Sequence, residues 1–382
     1  MSFSRRVELF LARAYSRKGV QSGLFFWTVL AIVLAATFVV SNVPLGLYTP
    51  TVGFQQGKHR APPLPPTTPA PAVPAGRGIL RAPHQRIIAI GDLHGDMARL
   101  RSILRAAEVL EDDTDAWRDG CTDIVVQLGD IVDRGPDAPQ MLRLLSELRP
   151  QALAAGGRLI TLSGNHELLA LTGVSVHAHA AVMNASGGTA GFRHLYSPGG
   201  RYGRMLAEEN LVVAIVSDVV FVHGGLTAAY ARRGVDELNA AWFQNATAAN
   251  LSQNVFADSA SPLWDRSITQ EAMIGNCGPL SAGMAALKAK ERIDVNMMVV
   301  GHTPMSHGRV GTWCGGKLMT IDVAMSRYMQ DGGYEAFLSF DPTVAKVGKR
   351  KKTRTLDAQD RVHIHYPLGS GVRAAAVPAD AT

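Results

Sequence analysis

Five short stretches concentrate side chains that hold cations or move protons. They are Gly91-Asp92-Leu93-His94-Gly95-Asp96, Gly129-Asp130-Ile131-Val132-Asp133-Arg134-Gly135, Gly164-Asn165-His166-Glu167, His223-Gly224-Gly225 and Gly301-His302. Each follows a short apolar run, so each is expected at the C-terminal end of a strand, where neighbouring loops of an α/β sheet converge on a ligand. Asp, His and Asn together offer hard oxygen and borderline nitrogen donors. That set suits manganese, iron or zinc better than magnesium or calcium, and no cysteine belongs to it. The ligands suffice for two ions, in which case one carboxylate must bridge them. Asp130, in the middle stretch, is the expected bridge. Asp92, His94 and one later histidine would complete one ion; Asn165, His223 and the remaining histidine would complete the other.

A single Gly-Asp turn is ordinarily only a turn, and a single histidine is ordinarily structural. Repetition at successive strand ends is what points to a site. His177, His179, His194 and His307 are read as loop or core residues, because no carboxylate or cysteine adjoins them to complete a metal site.

GDLHG, GDIVDRG, GNHE, HGG and VGH, in this order, resemble the phosphoprotein phosphatase family of metallophosphoesterases. The longer phrases QLGDIVDRGPDA, GNHELL, FVHGGL, SPLWDR and MVVGHTP resemble its bacterial-type Shewanella-like branch. The resemblance implies a mixed two-sheet α/β sandwich flanked by helices, two bound metal ions, and hydrolysis of phosphomonoesters on phosphorylated proteins or peptides. Carried over residue by residue, it makes Asp92, His94, Asp130, Asn165, His223 and His302 the metal ligands. Asp130 bridges, and His94 and His302 share the ion that Asp92 binds. Arg134 grips the phosphate, His166 protonates the leaving oxygen and Asp133 orients His166; Arg266, in Pro262-Leu263-Trp264-Asp265-Arg266, is the candidate second phosphate clamp. The attacking group is a hydroxide bridging the two metals, in line with the leaving oxygen. Manganese is the expected ion in vitro, with iron or zinc as alternatives. A dinucleoside polyphosphate hydrolase is the first rival, though Glu167 stands where that group has Asp; a non-catalytic anchored scaffold is the second. After GNHE the chain departs from its branch, so residues 168–204 are expected to set substrate preference, with Ser197-Pro-Gly-Gly-Arg201-Tyr-Gly-Arg204 either aiming two arginines at an acidic substrate or forming a mobile solvated loop. The SAPNYC element of eukaryotic members is missing, which implies insensitivity to toxins that use it.

These residues need strands to carry them. Apolar, β-branched runs predict strands at 86–90, 123–128, 158–162, 211–216, 219–222, 297–300, 318–322 and 335–340. Helical spacing predicts helices at 97–109 and 139–148, and Ser217-Asp218 reads as the turn of a hairpin. The catalytic domain is expected over 79–367 and a disordered tail over 368–382.

Ahead of that domain the chain changes character. Residues 24–48 begin with LFFWTVLAIVLAATFVV, apolar on every side and long enough to span a bilayer as a helix. Arg5, Arg6, Arg13, Arg17 and Lys18 in the basic segment 1–23 place the N-terminus in the cytosol and the rest in a lumen or outside the cell. A cleaved signal peptide is the first alternative, against which stand the 18-residue leading region and the want of a small-x-small cleavage site; a mitochondrial presequence is the second, given a start that is basic and nearly free of acids. Sequons at Asn184, Asn245 and Asn250 fit lumenal exposure, and residues 49–78 read as a proline-rich spacer. Net charge is +6, but the basic residues are scattered and carry no nucleic-acid motif, so no nucleic-acid partner is expected. Of the three cysteines, Cys277 and Cys314 are able to pair in an oxidising compartment, which would leave Cys121 as a buried thiol.

Overall fold

The computed structural model describes residues 78–247, 256–305, 308–347, 352–355, 357–367 and 375–376. The apolar segment at 24–48, its basic flank, most of the proline-rich spacer, His307 and the Asn250 sequon lie outside these residues. Among the described residues no helix is long and apolar enough to cross a membrane.

Two six-stranded mixed sheets carry the core. The first is built on β2 (Ile87–Ile90), β3 (Ile124–Gln127) and β4 (Arg158–Thr161), which run parallel in register, Ile87 opposite Ile124 and Ile124 opposite Arg158. β10 (Phe337–Phe340) joins β2 antiparallel, and β13 (Val362–His365) and β14 (Ala375–Ala376) extend that edge. The last pairing draws two residues of the expected tail into the sheet. In the second sheet β1 (Ile79–Leu80) lies beside the hairpin of β5 (Val213–Val216) and β6 (Val219–Val222). β7 (Met297–Val300) runs parallel to both β6 and β9 (Leu318–Thr320), with β8 (Gly311–Trp313) antiparallel at the edge. A small separate ribbon pairs β11 (Val344–Val347) with β12 (Lys352–Thr355). Every residue of β2, β3, β5, β6, β7 and β10 is buried, which explains why β2, β5, β6 and β7 read as unbroken apolar runs and β3 and β10 as nearly so, rather than as alternating ones.

Several contacts join the two sheets. Leu162 and Leu211 form a parallel bridge just beyond β4 and before β5. Phe221 of β6 meets Phe340 of β10 edge to face, 6.2 Å between ring centres. Arg361, at the end of the short helix that precedes β13, is 1% exposed and donates to Asp218 in the β5–β6 turn.

Helices cover the sheets. α1 (Met97–Ala106) is capped by Asp96, whose Oδ1 accepts from the Arg99 N–H, and buries Met97, Leu100, Ile103 and Leu104. Each such side chain contributes about 1.5–3 kcal/mol on burial. α2 (Ala138–Ala154) carries Pro139 in its first turn, where proline suits, and runs past the expected end at Leu148, straight through Pro150. An internal proline costs a helix ~3 kcal/mol. Burial of Leu148 and Ala152, and the hydrogen bonds of Arg149 to the Leu159 carbonyl and of Trp117 N–H to Gln151, hold the extra turn.

Between β4 and β5 the chain folds into four helices: α3 (Asn165–Leu171), α4 (Ala180–Ser186), α5 (Thr189–Tyr196) and α6 (Arg201–Glu209). The glycine-rich stretch at 197–204, for which a mobile solvated loop is one expectation, is instead the cap and first turn of α6. A stack of Phe192, Tyr196 and Tyr202, with ring centres 4.4 and 5.2 Å apart, supplies the core that orders it. Further on come α7 (Ala228–Ala231), α8 (Val235–Thr247), α9 (Ser267–Met273), α10 (Gly278–Glu291) and α11 (Ala358–Arg361).

Cys277, at the N-terminus of α10, is disulfide-bonded to Cys314 in the turn between β8 and β9. Cys121 is free and half-buried rather than buried. The bond pins the edge of the second sheet to α10 and closes a 37-residue separation. Removing it by the Cys277→Ser, Cys314→Ser double substitution is expected to cost about 4 kcal/mol by loop-closure entropy. Urea titration of both proteins without reductant checks this; an unaltered midpoint would show that the loop gains nothing from the bond.

Candidate metal centre

The parallel strands of both sheets end at one place. The first sheet delivers Asp92 and His94 after β2, Asp130, Asp133 and Arg134 after β3, and Asn165 and His166 at the start of α3. The second delivers His223 after β6 and His302 after β7. Asp92, His94, Asp130, Asp133, Asn165, His166, His223 and His302 are each no more than 5% exposed. All ten residues singled out from sequence therefore fall at or beside one centre, Arg266 through the hydrogen bond its Nη2 gives to the His302 carbonyl, 3.0 Å.

Local backbone geometry is unusual here. Of the eleven non-glycine residues with positive φ among those described, five are His94, Asp130, Asp133, Arg134 and His302. Each such residue costs of order 1–3 kcal/mol and persists only where its surroundings over-determine it. The surroundings are visible. The Asp130 carbonyl accepts the N–H groups of Leu93 and His94, tying the first two loops together. Gly129 and Gly164 approach so closely that a Cβ on either would strike the other loop.

Glu167 does most to fix the loops. Its carboxylate accepts four backbone N–H groups, from Gly164 (2.7 Å), Asp130 (2.8 Å), Ile131 (2.8 Å) and Val132 (3.1 Å). Glutamine has one acceptor oxygen, and its amide would turn two hydrogens toward donors. Glu167→Gln is expected to lower stability by about 2–4 kcal/mol and to reduce turnover by displacing Asp130. Thermal melting and kcat/KM on one preparation check this; full activity with unchanged melting would remove Glu167 from the scaffold.

The Asp130 carboxylate sits between two groups of donors. Its Oδ1 is 3.4 Å from His223 Nε2 and accepts from the His166 backbone N–H at 3.1 Å; its Oδ2 is 3.6 Å from His94 Nε2 and 4.0 Å from His166 Nε2. Three histidines are oriented by backbone carbonyls: His94 Nδ1 by Val132 (3.1 Å), His223 Nδ1 by Leu128 (2.8 Å) and His302 Nε2 by Trp264 (3.2 Å). Such bonds place the ring proton on the outer nitrogen and leave a lone pair facing inward. At His223 that lone pair meets Asp130 Oδ1 and, at 3.1 Å, Asn165 Oδ1. Lone pairs converging on one point repel unless a cation lies among them, so the donor set fits metal ions.

Charge points the same way. Burial, and then the neighbouring carboxylates of Asp322 and Asp130, push the Asp92 carboxyl well above the usual range. Burial likewise lifts Asp322, to about 6. Burial opposes ionisation of Asp130 too, yet His223, His166 and His94 hold it well below the usual range. Burial lowers His94 to about 3, and burial together with His223 does the same to His302. Carboxylates crowded in this way, with the His94 and His302 imidazoles held neutral among them, call for compensating positive charge.

Two clusters emerge that share Asp130: His94 with His166, and His223 with His302. His302 lies beside His223 because β6 and β7 are adjacent strands and deliver their histidines together. Asp92 touches that group from below, accepting the His302 backbone N–H at 3.1 Å.

A model of the calcineurin-like phosphoesterase family matches residues 85–306. The chain belongs to that family. Shewanella-like protein phosphatase 2 of Arabidopsis thaliana is 27% identical over 294 residues, 65% of this chain and 73% of that protein. Shewanella-like protein phosphatase 1 of Plasmodium berghei is 28% identical over 280 residues, 70% and 76% of the two chains. These relatives put this phosphoesterase in the Shewanella-like branch of the phosphoprotein phosphatases, and it is a metal-dependent hydrolase. In fold it resembles the crystal structure of a cold-active protein-tyrosine phosphatase from a psychrophilic Shewanella, with a TM-score of 0.59, 23% identity, and coverage of 73% of this chain and 82% of that one.

Two residues of the phosphoesterase centre escape the sequence reading. Asp322 is buried beside Asp92 and donates charge to the cluster; it follows β9 as Asp92 follows β2, a signal present in Leu318-Met-Thr-Ile-Asp322. The scaffolding carboxylate Glu167 stands in the GNHE motif itself, where only its identity, not its four hydrogen bonds, is visible in sequence.

Proposed function

We propose that this phosphoesterase is a protein phosphatase that hydrolyses phosphomonoesters on phosphorylated polypeptides, with two metal ions held by Asp92, His94, Asp130, Asn165, His223 and His302. Bound cations lower the pKa of a coordinated water toward neutrality and offset phosphoryl charge. Manganese heads the candidates because mixed Asp, His and Asn donors suit it.

The protein's own groups divide the remaining work. Asp133 Oδ2 lies 2.7 Å from His166 Nδ1, fixing the ring and turning Nε2 toward Asp130 and Arg134. Burial disfavours a charged His166, but Asp130 and Asp133 outweigh it and raise the pKa, so the ring holds a proton to give to a leaving alkoxide or phenoxide. Arg134 Nη2 edges the same space, 3.5 Å from His166 Nε2, and the buried Arg134 Nε has no partner in the protein. An unpartnered buried guanidinium N–H beside a cation site suits a phosphate oxygen. Arg266, exposed on the other rim, is the second phosphate contact.

The observation that carries this reading is the Asp133–His166–Arg134 constellation on the edge of the Asp130 donor clusters. The full chain, stripped by chelation and reloaded with manganese, is expected to cleave phosphotyrosine or phosphothreonine peptides. Preference for diadenosine tetraphosphate in the same assay would move the assignment to nucleotide hydrolysis, and no turnover with metal bound would favour a scaffold.

The site is further proposed to face a lumen or the cell exterior, anchored through residues 24–48, with a mitochondrial location as the alternative. The Cys277–Cys314 bond supports an oxidising compartment. Carbonate extraction and protease protection of intact membranes test the anchor and its orientation.

A further inference from the structure

A groove of about 410 Å³ opens beside the catalytic loop, between the start of α2 and the helices inserted after α3. Pro136, Pro139 and Arg143 line one side; Val182, Ser186 and Tyr202 line the other. The groove is linked to the phosphate site through the chain, since its lining residues Pro136 and Asp137 directly follow Arg134-Gly135. That loop is firmly tied to the centre: Gly135 N–H donates to the His94 carbonyl at 3.0 Å and Asp137 N–H to the Gly95 carbonyl at 3.0 Å.

Arg143 is what makes the groove chemically specific. Arg86, Arg99, Arg101, Arg118, Arg149, Arg327 and Arg361 each meet a carboxylate. Arg143 is half-buried and, among the described residues, forms no ion pair or side-chain hydrogen bond. The one acid in the lining, Asp137, turns its Oδ2 to the Met97 N–H at 3.4 Å, away from that role. An arginine left without a counter-charge in a groove is a site for an anionic side chain.

We infer that this groove is a substrate subsite in which Arg143 pairs with a carboxylate on the phosphorylated polypeptide. The inference rests on the protein-phosphatase reading above and names what such a substrate carries. An extended chain advances about 3.3–3.6 Å per residue, so the acidic residue is sought by scanning positions on both sides of the phosphorylated one. The wall formed by Val182, Ser186 and Tyr202 belongs to the segment where sequence reading locates substrate preference.

The test uses the full chain reloaded with manganese. Phosphopeptides carry Glu, Gln or Lys at each position from four before to four after the phosphorylated residue, and p-nitrophenyl phosphate reports on the catalytic centre alone. At one position Glu is expected to exceed Gln by about five- to tenfold in kcat/KM. Arg143→Gln abolishes that ratio, Arg143→Glu turns it in favour of Lys, and Ser186→Lys, which adds a second cation to the groove, enlarges it. A wild type indifferent to Glu at every position, or a preference that survives Arg143→Gln, overturns the subsite while p-nitrophenyl phosphate turnover leaves the phosphatase reading standing. Loss of all turnover strikes that reading instead. Fluorescence polarisation of the Glu and Gln peptides with the wild type and Arg143→Gln then decides the groove, since equal affinities overturn it and an Arg143-dependent gain for Glu supports it.

Discussion

Asp130→Asn is expected to lower kcat/KM by about a thousandfold or more, equivalent to about 4 kcal/mol of transition-state stabilisation, while leaving the fold intact. Asparagine keeps the shape of the side chain and an oxygen for the His166 backbone N–H that Oδ1 now accepts at 3.1 Å. It loses the charge at the point where His94, His223 and His302 converge. Each donor cluster contains Asp130, so one substitution weakens both. Metal content after dialysis should fall together with activity, whereas circular dichroism should not change. A variant that binds as much metal as wild type and retains more than about a tenth of its activity would show that Asp130 is not shared between the clusters, and the two-ion arrangement would have to be rebuilt around Asp92 and Asp322.

Much of this centre is legible in sequence because it lies where secondary structure changes. Asp92 and Asp130 each follow a buried, largely apolar run closed by glycine, which doubly buried parallel strands write plainly, and Asn165 follows the more mixed Arg158-Leu-Ile-Thr161 strand. The β5–β6 hairpin is equally plain, since Ser217 takes the positive φ its turn requires. The grouping of the two later histidines is a different matter. His302 joins His223 because β6 and β7 are neighbours in the second sheet, and strand order is set by packing between distant segments. The helices α4 to α6 are hidden for a related reason: each is seven to nine residues, too short for periodicity to speak, and their stability comes from the stack of Phe192, Tyr196 and Tyr202. The extension of α2 through Pro150 is the same lesson, tertiary contacts overriding local propensity.

His166→Asn is expected to slow hydrolysis of a poor leaving group such as a serine phosphate peptide by about 10²–10⁴-fold, but that of p-nitrophenyl phosphate far less. The contrast follows from where the proton goes. An alkoxide is a strong base and must be protonated as the P–O bond breaks, whereas p-nitrophenolate departs unaided. Asp133→Asn should reproduce the pattern in milder form, because it removes the acceptor 2.7 Å from His166 Nδ1 without removing the ring. Arg134→Lys supplies the control. It changes the group that edges His166 Nε2 but donates no proton in the reaction, so it should depress both substrates alike. Plotting log kcat/KM against leaving-group pKa for the wild type and three variants gives the test. His166→Asn should steepen the dependence and Arg134→Lys should shift it in parallel. Parallel displacement by His166→Asn would mean that the ring binds phosphate rather than protonating the leaving oxygen, and the acid would then have to be sought elsewhere on the rim, with the exposed His177 ring, 5.2 Å from that of His166, the nearest alternative.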